Sequence, residues 1–245
     1  MLCKIIPDHI LLKVAGTRKS ANKLDILNKL SKSAGFRGKR KTVFANRMLL
    51  NKAIVKGANT VGPMVRAPAG MERLHFYDCK SRWDFPIDPV KVIEEKHSKD
   101  KPTTRTALKQ QHIENMDECY DFFRDLYKRK SFDRKSATVK FYANYGDHYG
   151  NAFWDGEQMV FGLGDEYVND LGAIFDIVVH EYAQAVEQYE SGLEYQGQSG
   201  AICESLSDVF GTVAKQYLLN QTVEEADWLV GQGMWNTDTL GSEYK

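Results

Sequence analysis

Cysteine is scarce in this 245-residue chain. Cys3, Cys79, Cys119 and Cys203 are the whole set, and no two stand at C-x-x-C spacing. That scatter points to neither a cysteine zinc site nor a disulfide framework, and it fits free thiols in a reducing compartment. Long apolar runs are missing too. No stretch reaches the roughly 18 residues that a membrane helix needs, and the opening MLCKIIPDHILLKVAG is too short and too interrupted by charge for a secretory core. The expectation is a protein with no membrane partner, cytoplasmic or exported without a recognisable signal peptide. Internal repeats and low-complexity tracts are likewise lacking.

Acids are almost absent from the first 70 residues, which hold 15 Lys and Arg but only Asp8 and Asp25. The remaining residues carry 18 bases against 31 acids, so the net charge of zero conceals a segment at +13 facing one at −13. Few aromatics interleave with the basic residues and no base-reading motif accompanies them, so nucleic acid is not the expected partner. An intramolecular clamp between a basic leader and an acidic body explains the balance more economically. With 42% hydrophobic residues the chain has enough apolar material for one large domain or two modest ones.

Along the chain, residues 5–15 and 20–33 read as short amphipathic helices, the second with Leu24, Leu27 and Leu30 at helical spacing. The stretch GANTVGPMVRAPAG at 57–70 reads as a linker. ERLHFYD at 72–78 alternates like a strand, and 81–105 reads as an irregular connection. Residues 106–130 form a long helix with Ile113, Met116, Tyr120, Phe123 and Tyr127 on its core face. TVKFYANY at 138–145 is a strand, and NAFWDGEQMVF at 151–161 is a hairpin turning about Asp155-Gly156. Asn169 or Asp170 is expected to cap the helix that follows.

That helix and the next carry the chemistry. His180 and Glu181 open H-E-x-x-Q, where a zinc hydrolase of this pattern has H-E-x-x-H. On a helix, positions i and i+4 share a face, so His180 and Gln184 point the same way while Glu181, one step round, reaches a metal-bound water. Glu204 and Asp208 repeat the i, i+4 spacing on the second helix, one placed as a carboxylate ligand, the other to hold a histidine ring by its second nitrogen. Taken alone, one His-Glu pair and two helical acids are weak evidence and read more readily as a satisfied core histidine and solvated charges.

The wider pattern separates those readings. From about Asn144 to Gly231 the chain resembles the thermolysin family of zinc endopeptidases, through NAFWDGEQMVFG, DIVVHE, GLEYQGQSGA, ESLSDVFG and ADWLVG. Its IIPDHIL and basic leader resemble the propeptide of the protealysin-like branch. The resemblance implies His180 and Glu204 as zinc ligands, Glu181 as general base, Asp208 behind the histidine, and Tyr195 assisting the oxyanion. It implies Asn151 and Ala152 as edge-strand positions that bind substrate backbone. Asp176 matches a calcium-binding position of some members, but Lys215 and Gln232 stand near where further acids belong, so calcium is not expected.

The implied fold is α+β: a mixed sheet with a hairpin plus long helices, then the start of a helical lobe, after a short helical propeptide. The implied organisation is a propeptide-like segment at 1–56, a linker at 57–70, a metallopeptidase-like lobe at 71–189 and the beginning of the helical lobe at 190–245. Two departures qualify the function. Gln184 replaces the second zinc-ligand His, and the amide is a poor donor, so zinc binding should be weak or absent. The chain also stops at Lys245, where the family continues into a lobe that supplies an oxyanion His and a specificity Arg. The expectation is a zinc endopeptidase by descent, impaired, acting on peptide or protein; the alternative is an inactive peptide- or protein-binding module or a truncated gene product. The outer face of the site helix and the 199–217 helix are expected to be partly uncovered, an apolar patch that marks either a partner surface or an aggregation liability.

Overall fold

The computed structural model describes residues 73–93 and 110–240. The expected leader helices and linker, and the segment 94–109, lie outside the described residues. A five-stranded mixed sheet is built from β1 (Leu74–Asp78), β2 (Lys91–Ile93), β3 (Val139–Ala143), β4 (Ala152–Trp154) and β5 (Met159–Phe161), in the order β2-β1-β3-β5-β4. β1, β3 and β5 run parallel, while β2 and β4 add antiparallel edges. Around it stand α1 (Gln110–Tyr127), α2 (Phe175–Glu190), α3 (Gly197–Leu218) and the short α4 (Thr237–Leu240).

Period-two alternation divides the sheet into two faces. Leu74, Phe76, Val139, Phe141, Ala152, Trp154, Met159 and Phe161 join the main core with α1 and α2, and Phe141 stacks on Phe161 at 4.5 Å. The intervening residues Tyr77, Tyr142, Phe153 and Val160 form a second cluster, covered by Trp83 and Phe85. The Tyr145 and Tyr142 hydroxyls donate to Trp83 O and Pro86 O, fastening that cover. Both faces are therefore covered, which explains why β4 and β5 are apolar at every position, while Lys140 on β3 stays exposed.

Most expected elements are present with shifted ends. The long helix, described over Gln110–Tyr127, ends at Tyr127 rather than at 130, and Tyr127 is 49% exposed rather than core. As the last helical residue it meets Phe122, Phe123 and Phe210 yet keeps half of its surface exposed. The hairpin turns at Asp155–Gln158, where Asp155 N donates to Gln158 O and Asp155 Oδ1 accepts from Glu157 N and Gln158 N. Strand β2 falls inside a stretch read as irregular; at three residues beside Pro89 it has no alternation to recognise, and Val90 N donating to Phe76 O brings it to β1.

The cap expected on the site helix belongs elsewhere. Asp170 accepts from Gly172 N and so caps a 3-10 turn, Leu171–Ala173, while α2 starts after Ile174 without a side-chain cap. Asp170 is held there by a residue that sequence reasoning passed over. His112 on α1, fully buried, places Nε2 2.9 and 3.0 Å from the two Asp170 oxygens. The entry to α2 is thus fixed by a pair 58 residues apart.

Helix α2 is buried from Asp176 through Gln188. The outer face of α2, expected to be uncovered, is enclosed by the sheet, α1 and α3. The exposure expected of the 199–217 helix is present on α3, where the apolar residues Ile202, Leu206, Val209, Val213 and Tyr217 follow helical spacing. α3 approaches α2 closely at Gly211, where an added Cβ would stand 2.7 Å from Asp176 O.

Candidate functional site

The helical spacing does what the i, i+4 rule requires: His180, Gln184 and Gln188 line one side of α2, and Glu204 and Asp208 face them from α3. His180 Nδ1 lies 2.8 Å from Asp208 Oδ1. A carboxylate only accepts, so in the neutral ring Nδ1 carries the proton and Nε2 presents its lone pair to the centre. Glu204 Oε2 is 3.4 Å from His180 Nε2 and Glu204 Oε1 is 3.2 Å from Gln184 Nε2. The remaining side of that triangle, Gln184 Nε2 to His180 Nε2, is 3.5 Å. His180, Glu181 and Gln184 are buried, whereas Asp208 is half exposed.

Ser207 Oγ donates to Glu187 Oε1 at 3.1 Å and stitches the two helices together beside this triangle. Gln188 extends the row toward the sheet: Trp154 Nε1 donates to its Oε1 and its Nε2 donates to Gly156 O. β4 is thereby held against the site helix. Asn151 O accepts from Gly162 N and Asp155 N donates to Gln158 O, so by alternation Ala152 and Trp154 direct their backbone groups away from β5, along the sheet edge. Ala152 N is met there by Asn151 Oδ1 at 2.9 Å, and both residues are buried. Tyr195 stands half-buried in the loop between α2 and α3.

At the other end of α2, Asp176 is 1% exposed and its Oδ2 accepts from Gly231 N. Burial pushes its carboxyl above the ordinary value, against the pull of Gly231 N and Lys215. Lys215 Nζ sits 2.8 and 3.1 Å from the Asp227 oxygens, 3.5 Å from Leu229 O and from Gln232 Oε1, and 3.9 Å from Asp176 Oδ2. An ammonium thus occupies the middle of an oxygen cluster between α2 and the 227–232 turn.

Among the described residues no group of three or more His, Cys, Asp and Glu is arranged to hold a metal ion. At the His180 triangle the reason is chemical. Zinc in such a site takes three protein donors and one open position. His180 Nε2 and Glu204 supply two, and the third corner is an amide whose nitrogen, a donor of hydrogen and not of electrons, faces inward. The residues present do not fit a zinc ion.

Two family models match. Residues 70–188 match the thermolysin metallopeptidase catalytic domain, and residues 191–244 match the thermolysin metallopeptidase alpha-helical domain. The chain is 37% identical over 170 residues to an extracellular metalloprotease of Pectobacterium carotovorum subsp. carotovorum, covering 69% of this chain and 47% of that protein. It is 39% identical over 124 residues to thermolysin of Alicyclobacillus acidocaldarius subsp. acidocaldarius, covering 50% of this chain and 22% of that protein. The solved precursor of protealysin from Serratia proteamaculans superposes with a TM-score of 0.67 at 29% identity, over 95% of this chain and 61% of that one. The chain therefore spans about half the length of the first of these relatives and about a fifth of the second. No helix among the described residues is long and apolar enough to cross a membrane.

Proposed function

The chain belongs to the thermolysin family of metallopeptidases, and from that premise we propose that it binds peptide in the cleft beside β4 with its hydrolytic step impaired. One observation carries this reading: Gln184 Nε2 stands at the corner of the donor triangle, 3.2 Å from Glu204 Oε1. Loss of a partner behind a metal ligand lowers affinity about 10–100-fold, and loss of a ligand itself lowers it at least as much. The peptide would add a strand along β4, pairing with the outward backbone groups of Ala152 and Trp154. It must displace Asn151 Oδ1 from Ala152 N to do so.

A second reading, a weak zinc-dependent endopeptidase, is favoured by the retained Glu181 and by the Glu204–His180–Asp208 array. In that reading Glu181 is the base and Tyr195 assists the oxyanion. His180 and Glu204 would hold zinc in that reading, and the metal would supply Lewis acidity. The chain's own residues contribute a His180 tautomer held by Asp208 and a carboxylate at Glu204. Cleavage of denatured casein with added zinc separates the two. The first reading expects turnover no greater than that of Glu181→Gln, with Gln184→His rising above both. Zinc-dependent turnover of the unmodified chain, abolished by Glu181→Gln, would establish the second.

A further inference from the structure

We infer that Gln184 closes the centre as a metal-free hydrogen-bonded junction, its amide N–H groups taking the role that a cation would otherwise take. The inference deepens the impaired-hydrolysis reading and rests on it for the placing of Gln184.

The electron-rich atoms around the centre define the problem. In the neutral ring His180 Nε2 presents a lone pair, because Asp208 Oδ1 at 2.8 Å keeps the single ring proton on Nδ1. Glu204 brings both oxygens, Oε2 at 3.4 Å from His180 Nε2 and Oε1 toward Gln184. A carbonyl oxygen turned inward at residue 184 would add a further lone pair to this set. The NH2 group has two hydrogens. One points to Glu204 Oε1 at 3.2 Å, and the other toward His180 Nε2, at the outer limit of bonding distance, 3.5 Å. The orientation of the Gln184 amide therefore follows from Asp208, through the tautomer of His180.

A site with a histidine in this position would leave two imidazoles and a carboxylate facing one another until a metal arrives. Gln184 removes that dependence. Its side chain is fully buried, so water could not make good a bond that it lost. A metal entering this centre has to turn the amide round and break both contacts first. The junction stabilises the α2–α3 pair without a metal, and it disfavours one.

Thermal unfolding of the full chain in EDTA, together with the nitrogen-15 spectrum of its histidine rings, tests this. Gln184→Leu should melt at least about 2–4 °C below the unmodified chain in EDTA and should not recover with zinc. Gln184→His should also melt lower in EDTA and should rise on adding zinc, while the unmodified chain is unmoved by either. His180 should show a protonated Nδ1, kept in Gln184→Leu and lost in Asp208→Ala. If Gln184→Leu melts at the unmodified temperature in EDTA, or if the ring carries its proton on Nε2, the junction is overturned. Should Gln184→His fail to fold, Gln184→Leu and the ring spectrum still decide. Zinc-dependent casein cleavage by the unmodified chain defeats the impaired-hydrolysis reading instead, so the two failures are distinguishable.

Discussion

Trp154 Nε1 donates to Gln188 Oε1 across 2.9 Å, joining the edge strand β4 to the helix that carries His180. The same amide donates to Gly156 O, so one side chain satisfies a buried indole and a buried turn carbonyl. Gln188→Leu leaves both groups without that partner. An unsatisfied buried polar group costs about 1–3 kcal/mol. The expected loss for the pair is about 2–4 kcal/mol, read as a Tm lower by roughly 5–15 °C. Gln188→Glu, which keeps the acceptor for Trp154, should lose less.

Lys215→Met tests the ammonium in the oxygen cluster. It leaves Asp176, buried, without the cation 3.9 Å away. Breaking a buried pair costs about 3–5 kcal/mol. Gly231 N still donates to Asp176, which reduces the expectation to about 2 kcal/mol, or a Tm lower by roughly 4–8 °C. Lys215→Arg, which keeps the charge, should fall between the two.

The same cluster sets an acid limb. The hydrogen bond from Lys215 holds the Asp227 carboxyl below its ordinary value. A depressed folded pKa contributes stability that is present above the unfolded value, about 3.9, and lost as pH falls through the folded one. Asp176 has the opposite sign: burial raises its pKa, so its ionised form opposes folding at neutral pH and that opposition fades as it takes up a proton. Asp227→Asn should therefore lower Tm at pH 7 and flatten the fall in Tm below about pH 4. A variant whose acid limb matches the unmodified one would show that Asp227 is not its source.

His112→Phe keeps a ring against Phe141 and removes the partner of Asp170. Asp170 is 8% exposed and also receives Gly172 N. Unpairing it should loosen the entry to α2, seen as faster amide exchange at 171–178 and a Tm several degrees lower. The loss should exceed that of substituting an exposed α3 residue such as Val209, where changes are usually within about 0.5 kcal/mol.

The parts of the site legible in the sequence are those set by local spacing. His180 with Gln184, and Glu204 with Asp208, share helix faces by the i, i+4 rule, and the alternation in 138–161 placed the strands. Glu204 and Asp208 meet His180 as that spacing and the family resemblance together implied. What lay hidden depends on contacts between distant residues. His112 finds Asp170 58 positions away, and Gln188 finds Trp154 34 positions away; neither carries a local signature. Gln184 was read as an ineffective oxygen donor, yet its nitrogen faces the centre. That orientation follows from a proton on His180, which Asp208 controls, and no residue pattern displays a tautomer. Of the two helices expected to be uncovered, α3 exposes an apolar face and α2 does not, because burial of a helix depends on how many layers enclose it.

Zinc content after dialysis of the full chain and of Gln184→His against micromolar zinc, followed by gel filtration, is the most direct test of the central claim. The account predicts that the unmodified chain retains far less than one zinc per molecule and that Gln184→His retains close to one. Stoichiometric, tightly held zinc in the unmodified chain would contradict it.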